Sequence, residues 1–134
     1  LNPVLRPNHY QVNETWITFQ LNDAPVITDK DGDFNVFALM DAASCFILGI
    51  GYVPTDSQEM SQMEAERLLK VGYSHKKQYP KELIIPNNQV ANVLSGEAER
   101  RRINVARVPE EQLKVFIGEA RESFQEHISK NRVQ

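Results

Sequence analysis

Thr15-Trp16-Ile17-Thr18-Phe19-Gln20-Leu21 alternates strictly, with Ile17, Phe19 and Leu21 on one face and Trp16, Thr18 and Gln20 on the other. That period of two is the pattern of a β-strand. Beyond it, Asp23 to Asp33 is turn-rich, with Val26-Ile27 as a short extra edge strand. A second strand is expected at Phe34–Met40, a turn at Asp41-Ala42-Ala43-Ser44, and a third strand at Cys45–Val53, the last two strands pairing as an antiparallel hairpin. The stretch Phe34–Val53 is long enough to cross a bilayer as a helix, but Asn35, Asp41 and Ser44 interrupt it. An acid near the midplane would cost roughly 2.5–3.5 kcal/mol, so two strands and a turn are the better reading.

Pro54 ends the third strand, and Asp56 with Glu59 three residues on has the spacing of a capping box, which predicts a helix from about Ser57. Met60, Ala65, Leu68, Leu69 and Gly72 form its buried stripe, and Tyr73–Lys81 follows as a basic loop. Leu83-Ile84-Ile85, between Pro80 and Pro86, fits a strand buried on both faces. Asn87 or Asn88 is placed to cap a helix carrying Val90, Val93 and Leu94, which Gly96 weakens before Arg102. Ile103–Val108 reads as a strand. Pro109 at the first helical position, with Glu110 and Glu111 after it, opens a last helix buried through Leu113, Phe116, Ala120, Phe124 and Ile128.

The 134 residues suit one domain, and 41% apolar with 25% charged residues is a globular composition rather than a disordered or collagen-like one. A single cysteine, Cys45, excludes an intramolecular disulfide framework and reads as a reduced core thiol. Residues 1–13 have no basic and apolar regions of the signal-peptide kind, which leaves the Asn13-Glu14-Thr15 glycosylation triplet idle and points to a soluble, cytoplasmic protein. Leu1 in place of Met hints at a longer gene product. The expected organisation is an extension at 1–13, one domain at 14–130 and a tail at 131–134. The net charge of −3 divides unevenly: residues 1–66 hold 2 basic and 10 acidic side chains (−8), residues 67–134 hold 13 and 8 (+5).

The order βββαβαβα is that of the ribonuclease H-like fold, and several short words resemble the catalytic core of retroviral integrases and related transposases. The first strand of those proteins often reads W-x-x-D, and here it reads Trp16-Ile17-Thr18-Phe19. A D-x-x-S turn leading to apolar residues and a glycine is matched by Asp41-Ala42-Ala43-Ser44 and Ile47-Leu48-Gly49. Their fourth strand starts after a proline and ends in a D-N-G-like segment, where this chain has Pro80-Lys81-Glu82-Leu83-Ile84-Ile85-Pro86-Asn87-Asn88. A G-I-x-V strand is matched by Arg102-Ile103-Asn104-Val105. The resemblance covers residues 14–130 and implies an α/β domain whose five-stranded mixed sheet has the order 3-2-1-4-5, flanked by helices.

It also implies where the family's chemistry would lie. Acids at the ends of strands one and four and on the last helix would hold two divalent ions across a phosphodiester. This chain offers Phe19 at the first position, Pro86, Asn87 or Asn88 at the second, and Glu110, Glu111 or Glu119 at the third, with Glu111 taken as the remaining acid. A phenyl ring cannot bind a metal, and an amide oxygen is a neutral and weaker ligand for a hard cation than a carboxylate. No catalytic residue, metal or cofactor is therefore assigned, and a non-catalytic binding, regulatory or interaction module is the first reading. A reduced-site nuclease is the alternative enzyme. A nucleic-acid binder is the third reading, with Arg100-Arg101-Arg102 and Lys76, Lys77 and Lys81 as candidate phosphate contacts. A protein partner or a homo-oligomer fits the module reading, and a membrane does not.

Other patterns favour ordinary structure. Asp29, Asp31 and Asp33 resemble a calcium loop, but Phe34 and Met40 stand where an EF-hand needs Gly and Glu, leaving an acidic turn with Gly32 at positive φ. Gly49-Ile50-Gly51 lacks the rest of a dinucleotide fingerprint and reads as a strand whose glycines admit a neighbouring backbone. His9, His75 and His127 lack zinc spacing. Asp41, in an apolar neighbourhood, is expected to close its own turn.

Overall fold

The alternation at Thr15–Gln20 (β1) persists in three dimensions, and both of its faces are covered. The computed structural model describes residues 3–132. The remaining elements are Val26–Ile27 (β2), Asp33–Asp41 (β3), Ile47–Pro54 (β4), Gln62–Lys76 (α1), Glu82–Pro86 (β5), Asn92–Arg100 (α2), Asn104–Val108 (β6) and Lys114–Arg132 (α3). The sheet runs β4-β3-β1-β5-β6, and β2 adds to β3. For the five principal strands that is the expected 3-2-1-4-5 order. β3 pairs antiparallel with β1 and β4, whereas β5 lies parallel to β1 and β6 parallel to β5.

Two cores lie on the two faces of this sheet. Trp16, Leu39, Leu83 and Ile85 pack with Leu68 and Leu69 of α1 and Leu94 and Ala98 of α2. Ile17, Phe19, Ala38, Met40 and Ile84 pack with Phe116 and Ile117 of α3. Leu5 and Tyr10, in the stretch expected as an extension, rest on the second core, and the Leu5 amide donates to the Gln112 carbonyl at 2.9 Å. Of the expected tail, residues 131 and 132 continue α3, and the last two lie outside the described residues. No helix among the described residues is long and apolar enough to cross a membrane.

Several boundaries differ from the expected ones for local reasons. α1 starts at Gln62, not near Ser57, because Ser61 is its N-cap and accepts the Glu64 amide at 3.2 Å. Glu59 caps another helix: Oε1 accepts the Val93 amide at 2.7 Å and Oε2 the Asn92 side-chain amide at 3.4 Å, supplying α2 with the acceptor that its N-cap residue Ala91 lacks. Asn87 and Asn88 therefore occupy a turn after β5 and do not cap the helix, and α2 runs through Gly96 unbroken. α1 also continues to Lys76, so Tyr73, His75 and Lys76 are helical. Pro109, with ψ of 140°, lies outside the last helix, which is preceded by a 3-10 turn over Glu110–Leu113.

The β3–β4 turn is longer than expected. Cys45, at φ 62°, and Phe46 belong to it, and Cys45 is half-buried at the surface of the second core instead of sealed within it. Asp41, 3% exposed, closes the turn by accepting the Ser44 amide at 3.0 Å, the Ser44 hydroxyl at 2.7 Å and the Asn13 amide at 2.7 Å. Asn13 in turn accepts the Trp16 indole N–H at 2.8 Å and donates to the Gln78 carbonyl at 3.1 Å. Gly49 and Gly51 make room for side chains, not for another backbone: a Cβ on Gly49 would stand 2.9 Å from Val71 Cγ1 of α1, and one on Gly51 would stand 2.8 Å from Met60 Cε and 3.1 Å from Leu68 Cδ2. Gly32 takes φ 79°, as the acidic turn requires.

Candidate functional site

β1 and β5 are parallel, so their C-terminal ends open at one edge of the sheet, the usual place for a site in such folds. A polar cleft of about 430 Å³ lies there, lined by Gln20, Asn22, Asn35, Asn88, Glu110 and Arg121 among others. Asn22 gives it a rigid floor. Its Oδ1 accepts the Val36 amide at 2.7 Å, and its Nδ2 donates to the Ala24 carbonyl and to Asn35 Oδ1, both at 3.0 Å. Arg121 of α3 crosses the mouth, donating from Nε to the Gln20 carbonyl at 2.9 Å and from Nη2 to Glu110 Oε1 at 3.1 Å. The guanidinium thus ties the end of β1 to the helix that covers it.

The positions assigned by resemblance do not form a hard-cation donor set. Phe19 is 0% exposed and packs in the core beneath α3. Asn87 is exposed, and its backbone amide donates to the Val108 carbonyl at 2.8 Å, while Asn88 faces the cleft. Glu110, not Glu111, reaches the cleft, and it is paired with Arg121. Glu111 is exposed on the 3-10 turn, and Glu119 lines a separate groove on the Cys45 side of α3. Among the described residues no group of three or more His, Cys, Asp or Glu side chains could hold a metal ion. Two divalent ions would need several carboxylates converging on one point, and the cleft instead offers two, Asp23 and Glu110, the second with the Arg121 cation already beside it.

The basic residues gather at the opposite edge, where β5 and β6 begin and α1 and α2 end. Lys76 is in the last turn of α1, and Lys77 is its left-handed C-cap. The Lys81 carbonyl accepts the Asn104 amide at 3.0 Å, which joins the loop before β5 to the start of β6. Arg101 lies 5.9 Å from the centre of the Tyr79 ring and donates to the Tyr79 hydroxyl at 3.3 Å, so the two basic stretches meet. Yet Arg101 is a structural residue: its Nη1 is 3.0 Å from Glu97 Oε1, and Glu97 is 5% exposed. Arg100 leans on the same carboxylate at 3.6 Å but is largely exposed. Arg102 takes φ 62° in the turn out of α2.

Sequence reading did not single out Arg121 or Asn22. The available signal for the first was an arginine next to Ala120 on the buried stripe of the last helix. For Asn22 it was a run of amides, Gln20 and Asn22, immediately past the apolar strand.

No protein-family model matches the chain, and no curated protein matches it in sequence. Solved structures do match. The catalytic core domain of BIV integrase superposes with a TM-score of 0.58 at 9% identity, over 90% of this chain and 72% of that one. A chain of the simian T-cell lymphotropic virus intasome in complex with PP2A regulatory subunit B56 gamma superposes with a TM-score of 0.50 at 13% identity, over 81% of this chain and 34% of that one. At such identities the likeness is one of fold: the chain has the ribonuclease H-like architecture of integrase cores.

Proposed function

We propose that this chain is a non-catalytic ribonuclease H-like domain that acts as a binding or interaction module in the cytoplasm. The observation that carries the proposal is the replacement at the cleft: a ring sealed in the core at Phe19, and an Arg121–Glu110 ion pair across the mouth. The chemistry of phosphodiester cleavage in this architecture needs positive charge delivered by ions that several carboxylates hold. Asp23 and Glu110, the latter already paired with Arg121, repeat neither the charge nor the geometry. The amide-rich lining is suited to hydrogen bonding with a partner's polar groups. A protein partner or a second copy of the chain fits that surface.

A second reading, nucleic-acid binding, is favoured by the meeting of the two basic stretches at Tyr79. One experiment addresses both. Pure protein is incubated with labelled DNA and RNA in magnesium or manganese, and both cleavage and retention are measured. The expected result is intact nucleic acid and no heat on manganese titration. Robust cleavage abolished by Glu110→Ala would overturn the module reading. Retention near physiological salt, weakened when Lys76, Lys77 and Arg102 become alanine, would establish the second.

A further inference from the structure

α3 does not fully cover the β3–β4 hairpin. Between them lies an open groove of about 570 Å³, floored and walled by Met40, Ile47, Ile50, Phe116, Ala120 and Phe124. That volume is within the range of about 300–1,000 Å³ typical of small-molecule sites. Ile47, Ile50, Ala120 and Phe124 are only partly buried although they pack on the second core, so this apolar surface stays in contact with water.

The polar groups at the rim have one sign. Glu119 is the single charged side chain lining the groove among the described residues, and Ser44, Ser123 and the Cys45 thiol complete the polar rim. Asp41 lies close by, its carboxylate held by the Ser44 turn and the Asn13 amide. Burial, then the negative charges of Glu119 and Asp41, push the Cys45 thiol above its usual range. Arg121 belongs to the other side of α3, engaged with Gln20 and Glu110. An anionic head would therefore meet Glu119 without a compensating cation in the groove.

We propose that this groove binds a small apolar molecule with a cationic head, an alkyl or aryl amine, its hydrocarbon part over Ile47, Ile50 and Phe124 and its ammonium donating to the Glu119 carboxylate. The size of the groove favours a small ligand over a helix, and the charge favours an amine over a fatty acid. The site is separate from the polar cleft and does not depend on its reading.

The chain's single cysteine supplies a local reporter. The native protein is titrated with decylamine, decanol and decanoate, each below its self-association concentration, by calorimetry and by the rate of Cys45 alkylation with iodoacetamide. The expected result is one-to-one binding of decylamine, about tenfold tighter than decanol, as a charge-assisted hydrogen bond provides, with decanoate weaker still and Cys45 protected on saturation. Glu119→Gln brings decylamine to the decanol affinity without changing the melting temperature. Ser123→Trp, which fills the groove from the exposed side of α3, abolishes binding of all three. Equal affinity for decanoate and decylamine, decylamine binding that leaves the alkylation rate unchanged, or a dimer that shields Cys45 with no ligand present would each overturn the proposal.

Discussion

Thr18 is the central residue of β1, 0% exposed, and its hydroxyl is the one buried side-chain polar atom without a hydrogen-bond partner among the described residues. A desolvated, unsatisfied hydroxyl is unfavourable, and valine has nearly the same shape with a higher strand propensity. Thr18→Val should therefore stabilise the protein by about 1 kcal/mol, seen as a melting temperature a few degrees higher in circular dichroism; an unchanged or lower value would mean that the hydroxyl has a partner in solution. The alternation of Thr15–Leu21 put Thr18 on the face of Trp16 and Gln20, but neither the burial of that face nor the hydroxyl's lack of a partner was legible, because both depend on other elements. The same limit applies to the arginines. The Arg100-Arg101-Arg102 cluster was plain in the sequence, whereas the commitment of Arg101 to Glu97 and Tyr79 depends on where the loop before β5 returns. Arg121 is a third case: its ties to Gln20 and Glu110 span 101 and 11 residues of chain.

α1 performs two tasks for the sheet, the first of them at β4, the strand at one edge. The outward backbone groups of that edge are occupied by α1 side chains: Glu64 accepts the Tyr52 amide at 2.8 Å, Arg67 donates to the Ile50 carbonyl, and His75 Nε2 donates to the Leu48 carbonyl at 2.8 Å. An edge covered in this way is poorly available for pairing with another chain. Burial raises the Glu64 pKa, but the Arg67 hydrogen bond, the Tyr52 amide and the Arg67 charge outweigh it and hold the carboxyl below its ordinary value. Because the folded pKa is the lower one, the stabilisation is present above the ordinary glutamate range and is lost as pH falls through the folded value. Denaturant midpoints between neutral pH and pH about 3 should fall less steeply in Glu64→Gln than in the wild type, and parallel curves would remove Glu64 from the account. The second task is close packing. A Cβ on Gly72 would stand 2.7 Å from Trp16 Cη2, while one on Gly96 of α2 would meet nothing within 4 Å. Gly72→Ala should therefore cost about 1–3 kcal/mol by overpacking against a rigid ring, whereas Gly96→Ala should add up to about 1 kcal/mol of helix propensity. Chemical denaturation of the two variants separates these effects, and equal shifts would contradict the packing. The Gly72 stripe was readable from helical spacing. The start of α1 was not, because the Asp56–Glu59 spacing fits a local cap equally well, and only the folded chain shows Glu59 reaching α2.

Across the whole molecule the sheet separates two chemically different ends. The basic residues collect where β5 and β6 begin, and the amide-rich cleft lies where β1 and β5 end. The charge asymmetry of −8 and +5 between the two halves of the sequence is thus distributed around one fold. The strands were legible from their own patterns and their order through the resemblance to integrase cores, which implied it; the contents of the cleft were not, since Arg121 and Asn35 reach it from separate elements. The departure at Phe19 was legible, and its consequence belongs to the entire core. Losing that ring alone costs about 3–5 kcal/mol, and an unpaired carboxylate in its place adds several more. Together these approach or exceed the whole stability of a typical domain, about 5–15 kcal/mol. Phe19→Asp should therefore abolish the cooperative thermal transition at neutral pH, while Phe19→Leu keeps it with a lowered midpoint, and neither should bind manganese. A Phe19→Asp protein that melts near the wild-type temperature and takes up manganese would instead show that position 19 can hold an acid beneath α3, and that Arg121, not the core, is what separates this cleft from a metal site.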